Sequence, residues 1–178
     1  EGATIRIEPS GKVNVYVAGG STGNSLETTV VQLTADALGV DLADVSTIQG
    51  DTALTPYGLG TGGSRSGAML AGAISETAGI LRERIVAIAA HRLEAAPEDI
   101  ELGGGRATVR GTPTIGLSME EIAAIAYGEA LFSLPPDVPA GLEASARYRA
   151  AAMSTWANAT HVCTCEVDVS TGMVRILR

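Results

Sequence analysis

The chain opens with two short runs in which apolar and polar residues alternate, Thr4-Ile5-Arg6-Ile7-Glu8 and Val13-Asn14-Val15-Tyr16-Val17. A period of two places the apolar side chains on one face, so both runs read as half-buried strands. Pro9-Ser10-Gly11 between them is turn chemistry and closes a β-hairpin. The period then changes. Leu26, Val30, Leu33 and Ala37 recur at helical spacing, with Asn24 and Glu27 in capping-box positions and Gly39 as a stop. Residues 45–49 form a short strand, and a second, longer helix is expected over 66–94, bent near Gly79. Its first turns are lined with Ala and Gly, which lets a neighbouring backbone pack very near. From Leu81 onward Arg82, Glu83 and Arg84 mark a wet face, while Ile85, Ile88 and Ala89 stay inside. Pro97 blocks continuation.

Beyond that helix the elements shorten. Ile100-Glu101-Leu102 and Ala107-Thr108-Val109 flank Gly103-Gly104-Gly105, a hairpin with a glycine turn. Ser118 with Glu121 caps a short helix carrying Ile122, Ile125 and Ala126. Residues 128–142, with Pro135, Pro136 and Pro139, read as an extended surface loop. A strand at 145–149 and a hairpin of 161–169 with 173–177, turning at Ser170-Thr171-Gly172, complete the chain. Strands and helices do not alternate regularly, so the expected class is α+β: a mixed sheet with helices packed on one side, plus β-hairpins.

Composition narrows the classes of partner. Of 178 residues 46% are hydrophobic and 18% charged, which suits one globular domain with a core of Ala, Val, Leu and Ile. A net charge of −8 with no basic cluster argues against nucleic acid and anionic membrane as partners. No charge-free apolar run is long enough to predict a membrane span. Cys163 and Cys165 sit at alternate positions of an expected strand, where bridging them would strain a disulfide. A reducing, cytoplasmic setting is the natural reading. The first residue is not Met and the last three, Ile176-Leu177-Arg178, fall in an expected strand, so the chain is expected to be a piece of a longer protein.

The candidate chemistry centres on Gly58-Leu59-Gly60-Thr61-Gly62-Gly63-Ser64-Arg65-Ser66-Gly67, five glycines in ten residues running straight into the second helix. Glycine lets backbone approach a bound group, and a helix start offers unpaired N–H groups at the positive end of the dipole. Small hydroxylated residues and one arginine there make an anion seat. A close-packed turn with no ligand is the bland alternative. Neither phosphate signature is matched: no Gly-Lys-Ser/Thr ending follows, and no G-x-G-x-x-G comes directly after Thr47-Ile48-Gln49.

The loop sits in a wider frame. Gly50-Asp51-Thr52 and Thr55-Pro56-Tyr57 lead into it; Leu26-Glu27-Thr28-Thr29, Gln32 and Ala35-Asp36-Ala37-Leu38-Gly39-Val40 lie upstream. Ala157-Asn158-Ala159, Glu166-Val167-Asp168 and Thr171-Gly172-Met173-Val174 lie downstream. In this order and spacing essentially the whole chain resembles the molybdenum-binding large subunit of the xanthine dehydrogenase and aldehyde oxidase family, closest to the bacterial branch that includes carbon monoxide dehydrogenase. The resemblance implies a single cofactor-binding domain over 1–178 with a helix-hairpin insertion at about 66–128. It implies that Thr61, Gly62, Gly63, Ser64, Arg65 and Ser66 offer backbone N–H and hydroxyl donors to the pterin and pyrophosphate of a molybdopterin, in bacteria the cytosine dinucleotide form. Such enzymes insert oxygen derived from water into a carbon centre. The resemblance further implies the remaining domains of the large subunit, iron–sulfur and FAD domains or subunits, and a small-molecule substrate as partners. A glutamate base is expected beyond Arg178, so this stretch alone holds no catalytic residue and is expected to be inactive and free of cofactor.

Several residues carry a second reading. Family loops corresponding to residues 19–27 usually read Gly-Gln-Gly-His-Glu; here Asn24 stands for the Gln, Ser25 for Gly and Leu26 for His. Asn24 is a cofactor-binding candidate by that resemblance and an N-cap by its own chemistry. Arg65 is either an anion donor or a surface arginine, although a cation at a helix start opposes the dipole. His161, Cys163 and Cys165 share a strand face with Val167 and Val169, which reads as small buried hydrophobes, not as a metal site. His91, Glu27, Glu76 and Glu94 are helix residues that need no catalytic role, and Trp156 reads as a packing anchor. Two alternatives to an oxidoreductase stay open: a non-catalytic phosphate- or nucleotide-binding module, and the scaffold domain of a degenerate family member.

Overall fold

The computed structural model of the protein describes residues 1–128, 134–150 and 159–178. The opening hairpin forms as its alternation predicts, β1 over Gly2–Ile7 and β2 over Val13–Val17. Ala3, Ile5, Ile7, Val13, Val15 and Val17 are fully buried, so one face of the ribbon is entirely core. A helix α1 (Leu26–Leu38) crosses to β3 (Val45–Gln49), which pairs parallel to β2. The long helix α2 (Ser66–Leu93) then packs against α1 and β1. Its buried Thr77 donates to the carbonyls of Ala73 and Ala3, at 2.7 and 3.2 Å.

A three-stranded antiparallel sheet follows: β4 (Ile100–Gly103), β5 (Arg106–Val109) and β6 (Thr112–Ser118). Gly104 and Gly105 both have positive φ, 56° and 70°, the requirement of a tight hairpin turn. The strand β6 is not anticipated from the sequence, because Pro113 and Gly116 break its pattern. Gly116 is obligatory there: a Cβ would lie 2.5 Å from the Ala107 carbonyl oxygen. The short helix α3 (Met119–Ala126) begins on the expected capping box. Ser118 N–H donates to Glu121 Oε2 at 2.7 Å, and Glu121 N–H donates to Ser118 Oγ at 3.2 Å. The Ser118 backbone N–H, foremost, holds the Glu121 carboxyl below its usual range. That stabilisation is therefore complete above the unfolded pKa, about 4.3, and is lost as pH falls through the lower folded value. Ser118→Ala should cost about 1 kcal/mol at neutral pH, read as a shift in the urea unfolding midpoint.

The expected strand at 145–149 is β7 at Glu143–Arg147, and it joins β1 on the side opposite β2. The main sheet therefore runs β3-β2-β1-β7, mixed, with α2 also packed against β7. The expected surface loop at 128–142 is not wholly on the surface. Leu142 is fully buried and Leu134 and Val138 lean on the core, while residues 129–133 lie outside those described. The last hairpin is shorter than its pattern suggests, β8 at Cys165–Val167 with β9 at Val174–Ile176. It pairs only with itself among the described strands and is exposed throughout. No helix among the described residues is long and apolar enough to cross a membrane.

Candidate functional site

In the β2–β3 register Val17 stands opposite Gln49, so the two parallel strands end side by side. Each hands the chain to a loop that enters a helix: 18–25 before α1 and 50–65 before α2. Crevices beyond the carboxyl ends of neighbouring parallel strands are where open α/β sheets bind ligands. Glu27 ties the first of these loops to the end of β3. Its own backbone N–H, then the Ser21 hydroxyl, then the Gln49 side chain hold its carboxyl below the usual range. Gln49 Oε1 is buried without a partner among the described residues.

The capping box expected at Asn24 does not form. The N-cap of α1 is Ser25, in the left-handed region at φ 53°, and its side chain makes no capping bond. Asn24 Oδ1 instead accepts the Thr22 N–H at 3.2 Å, a local turn contact that competes with the cap. Asn24 is exposed and has no contact with residues 58–67 among the described interactions.

The glycine-rich loop has an open side and an anchored side. Gly60, Gly63 and Ser64 adopt positive φ, 72°, 55° and 56°. A Cβ built on Gly62, Gly63 or Gly67 would meet nothing within 4 Å, so their backbone faces open space. The Thr61 and Ser66 hydroxyls are brought together at 3.0 Å. The N-cap of α2 is Arg65, which has helical φ/ψ and makes no side-chain cap, and no acidic residue occupies the first turn. The positive end of a helix of 28 residues is thus left without a carboxylate of its own. Backbone amides bare of side chains, at that end, are what a polyanionic group needs in order to approach.

Arg65 itself is occupied. Its amide donates to Gly62 O at 3.2 Å, and its guanidinium donates to Gly60 O at 2.9 Å and forms an ion pair with Glu1. Glu1 also accepts the Leu59 N–H at 3.1 Å. Sequence reasoning does not find Glu1, since no local pattern links residues 64 positions apart. Beside the pair opens a cleft of about 370 Å3 lined by Leu59, Met69, Tyr148 and Arg149. Tyr148 packs its ring on Gly72, so at that position early α2 admits an aromatic side chain.

His161 and Cys163 precede β8 rather than lying in it, and both cysteines are free and exposed, not the buried hydrophobes expected. The described residues hold no group of three His, Cys, Asp or Glu able to bind a metal ion. Trp156 lies outside the described residues.

Residues 1–178 match the family of molybdopterin cofactor-binding domains. The chain belongs to that family. Carbon monoxide dehydrogenase large chain from Afipia carboxidovorans is 35% identical over 178 residues, covering 100% of this chain and 21% of the relative. Nicotine 6-hydroxylase large subunit from Paenarthrobacter nicotinovorans is 30% identical over 177 residues, covering 98% of this chain and 21% of that protein. Quinoline 2-oxidoreductase from Pseudomonas putida 86 superposes with a TM-score of 0.79 at 38% identity, over 98% of this chain and 22% of that one. This molybdopterin cofactor-binding domain therefore spans about 21% of the length of the curated relatives it matches.

Proposed function

We propose that this domain seats the pterin and pyrophosphate portion of molybdopterin cytosine dinucleotide within the large subunit of a molybdenum hydroxylase. The observation that carries the reading is the open backbone at Gly62 and Gly63, leading into an uncapped helix start inside a matched cofactor-binding domain. Gly62, Gly63, Ser66 and Gly67 would offer amides to the diphosphate, with the Thr61 and Ser66 hydroxyls beside them. Ser64, at the bend of the loop, sets the path of the backbone into α2. Asn24, on the neighbouring loop, would contribute its side-chain amide to the pterin end. When bound, the cofactor supplies two-electron hydroxylation of a carbon centre with oxygen from water. The protein's own share is placement. Fixed amides aimed at a partly desolvated anion hold it without reorganising, and the loop's lack of side chains admits it closely.

The glutamate base, the iron–sulfur and FAD centres and the substrate pocket belong to other parts of the assembly in this reading. A reducing, cytoplasmic setting is part of the same reading. Metal and nucleotide analysis of the full-length protein tests the proposal. Molybdenum together with cytosine nucleotide released by mild acid is the expected result. Phosphate affinity without molybdenum would identify a non-catalytic binding module, and neither would leave a scaffold domain.

A further inference from the structure

We infer that Glu1 is a positioning residue for the glycine-rich loop, acting through Arg65 and the Leu59 amide rather than on the bound group. The inference rests on the reading of that loop as the cofactor seat. The Glu1 side chain is 2% exposed and that of Arg65 18%. Charges withdrawn from water to that degree persist only when paired, and each is the partner of the other. The pair also has direction. Tyr148 N–H donates to the Glu1 carbonyl at 2.9 Å, which fastens the backbone of Glu1 to the end of β7. The Glu1 carboxylate then accepts from Leu59 at the loop's entry, and Arg65 at its exit reaches back to Gly60 O. Entry, middle and exit of the loop are thus held to the sheet through one carboxylate.

Gly58 supports this from an independent direction. Its φ is not in the left-handed region, so conformational freedom does not explain a glycine there. A Cβ at that position would coincide with Glu1 Oε2 and press on Ala18 Cβ, so the absence of a side chain makes room for the carboxylate. Oε2 is buried and has no hydrogen-bond partner among the described residues; it rests over the Gly58 backbone. The ion pair also removes an electrostatic conflict, because a lone carboxylate beside an anion seat would repel the ligand. Neutralised by Arg65, Glu1 can brace the loop without opposing a diphosphate.

A direct anion-binding role for Arg65 predicts the opposite response to the same change. If Glu1 merely restrained a ligand-binding arginine, Glu1→Gln would free that arginine and raise cofactor retention. Positioning predicts a loss. The test uses the full-length subunit with Glu1→Gln and, separately, Gly58→Ala, following molybdenum per subunit through dialysis and amide hydrogen exchange. The expected result is at least tenfold faster loss of molybdenum in both variants. The Leu59 amide should exchange faster in Gly58→Ala, while α2 amides between Ala73 and Leu81 keep wild-type protection. Unchanged or greater retention in both variants overturns the inference. So does a loss accompanied by faster exchange throughout α2, which would make the pair a general stabiliser. Gly62→Val run in parallel separates the two levels. Full retention there refutes the seat itself and this inference with it, whereas loss there with normal retention in Glu1→Gln refutes only the role of Glu1.

Discussion

Gly62→Val should leave the full-length subunit folded and strip it of at least nine-tenths of its molybdenum. The substitution is informative because Gly62 lies outside the left-handed region and an added Cβ meets nothing within 4 Å of the protein. The isolated fold therefore has no steric reason to object, and the branched side chain occupies space that only a bound group would need. Gly63 is the less clean site for the same experiment. Its φ of 55° would strain valine irrespective of any ligand, so a loss there would mix backbone cost with blocked approach. A tenfold fall in affinity corresponds to about 1.4 kcal/mol. Molybdenum by elemental analysis against an unchanged thermal midpoint of the unloaded protein reads the effect; full occupancy in Gly62→Val would move the seat elsewhere.

Gly39→Ala should be among the most destabilising single-methyl additions available to this chain, at about 3 kcal/mol. Two costs combine. Gly39 closes α1 at φ 69°, a conformation that disfavours any side chain. The new Cβ would also stand 2.8 Å from the Leu102 carbonyl oxygen, backbone that cannot rotate away. Each of those effects is worth about 1–3 kcal/mol alone. The Gly39 carbonyl additionally accepts the Gly105 N–H at 2.8 Å, so displacement of the cap disturbs the β4–β5 turn as well. Urea unfolding of the variant should show the midpoint shift; a change under 1 kcal/mol would mean that α1 and the second sheet slide apart at no cost.

Much of this architecture is readable from the chain because its core signals are local. Ile5, Ile7, Val13 and Val15 announce the central ribbon by alternation alone, and Gly39 and Gly105 punctuate where φ must turn positive. Reading fails where a distant group decides. Asn24 and Glu27 have the letters of a capping box, but Thr22 claims the first while Ser21 and Gln49 engage the second. The strand β6 is hidden by Pro113 and Gly116, and is held by pairing with β5 rather than by its own periodicity. In β8 and β9 alternation overestimates the regular ladder, which gives way to single backbone bonds at its ends, Thr164 N–H to Arg178 O and Asp168 N–H to Met173 O. At the site, the glycines of residues 58–67 signal open backbone plainly. The anchor at Glu1 has no signature, since an isolated acidic residue acquires meaning only from the Arg65 it meets in three dimensions.

The central position of β1, flanked by β2 on one side and by β7 on the other, has a consequence for biosynthesis. Gly2 pairs with Arg147 and Ala3 with Ala146, so one edge of this strand stays open on the ribosome until nearly the whole stretch has emerged. The hairpin, α1, β3 and the start of α2 can assemble early, while closure waits for a partner some 140 residues later. Slow codons or a chaperone binding site between α2 and β7 would lengthen the interval in which that uncovered edge can recruit a strand from another nascent chain.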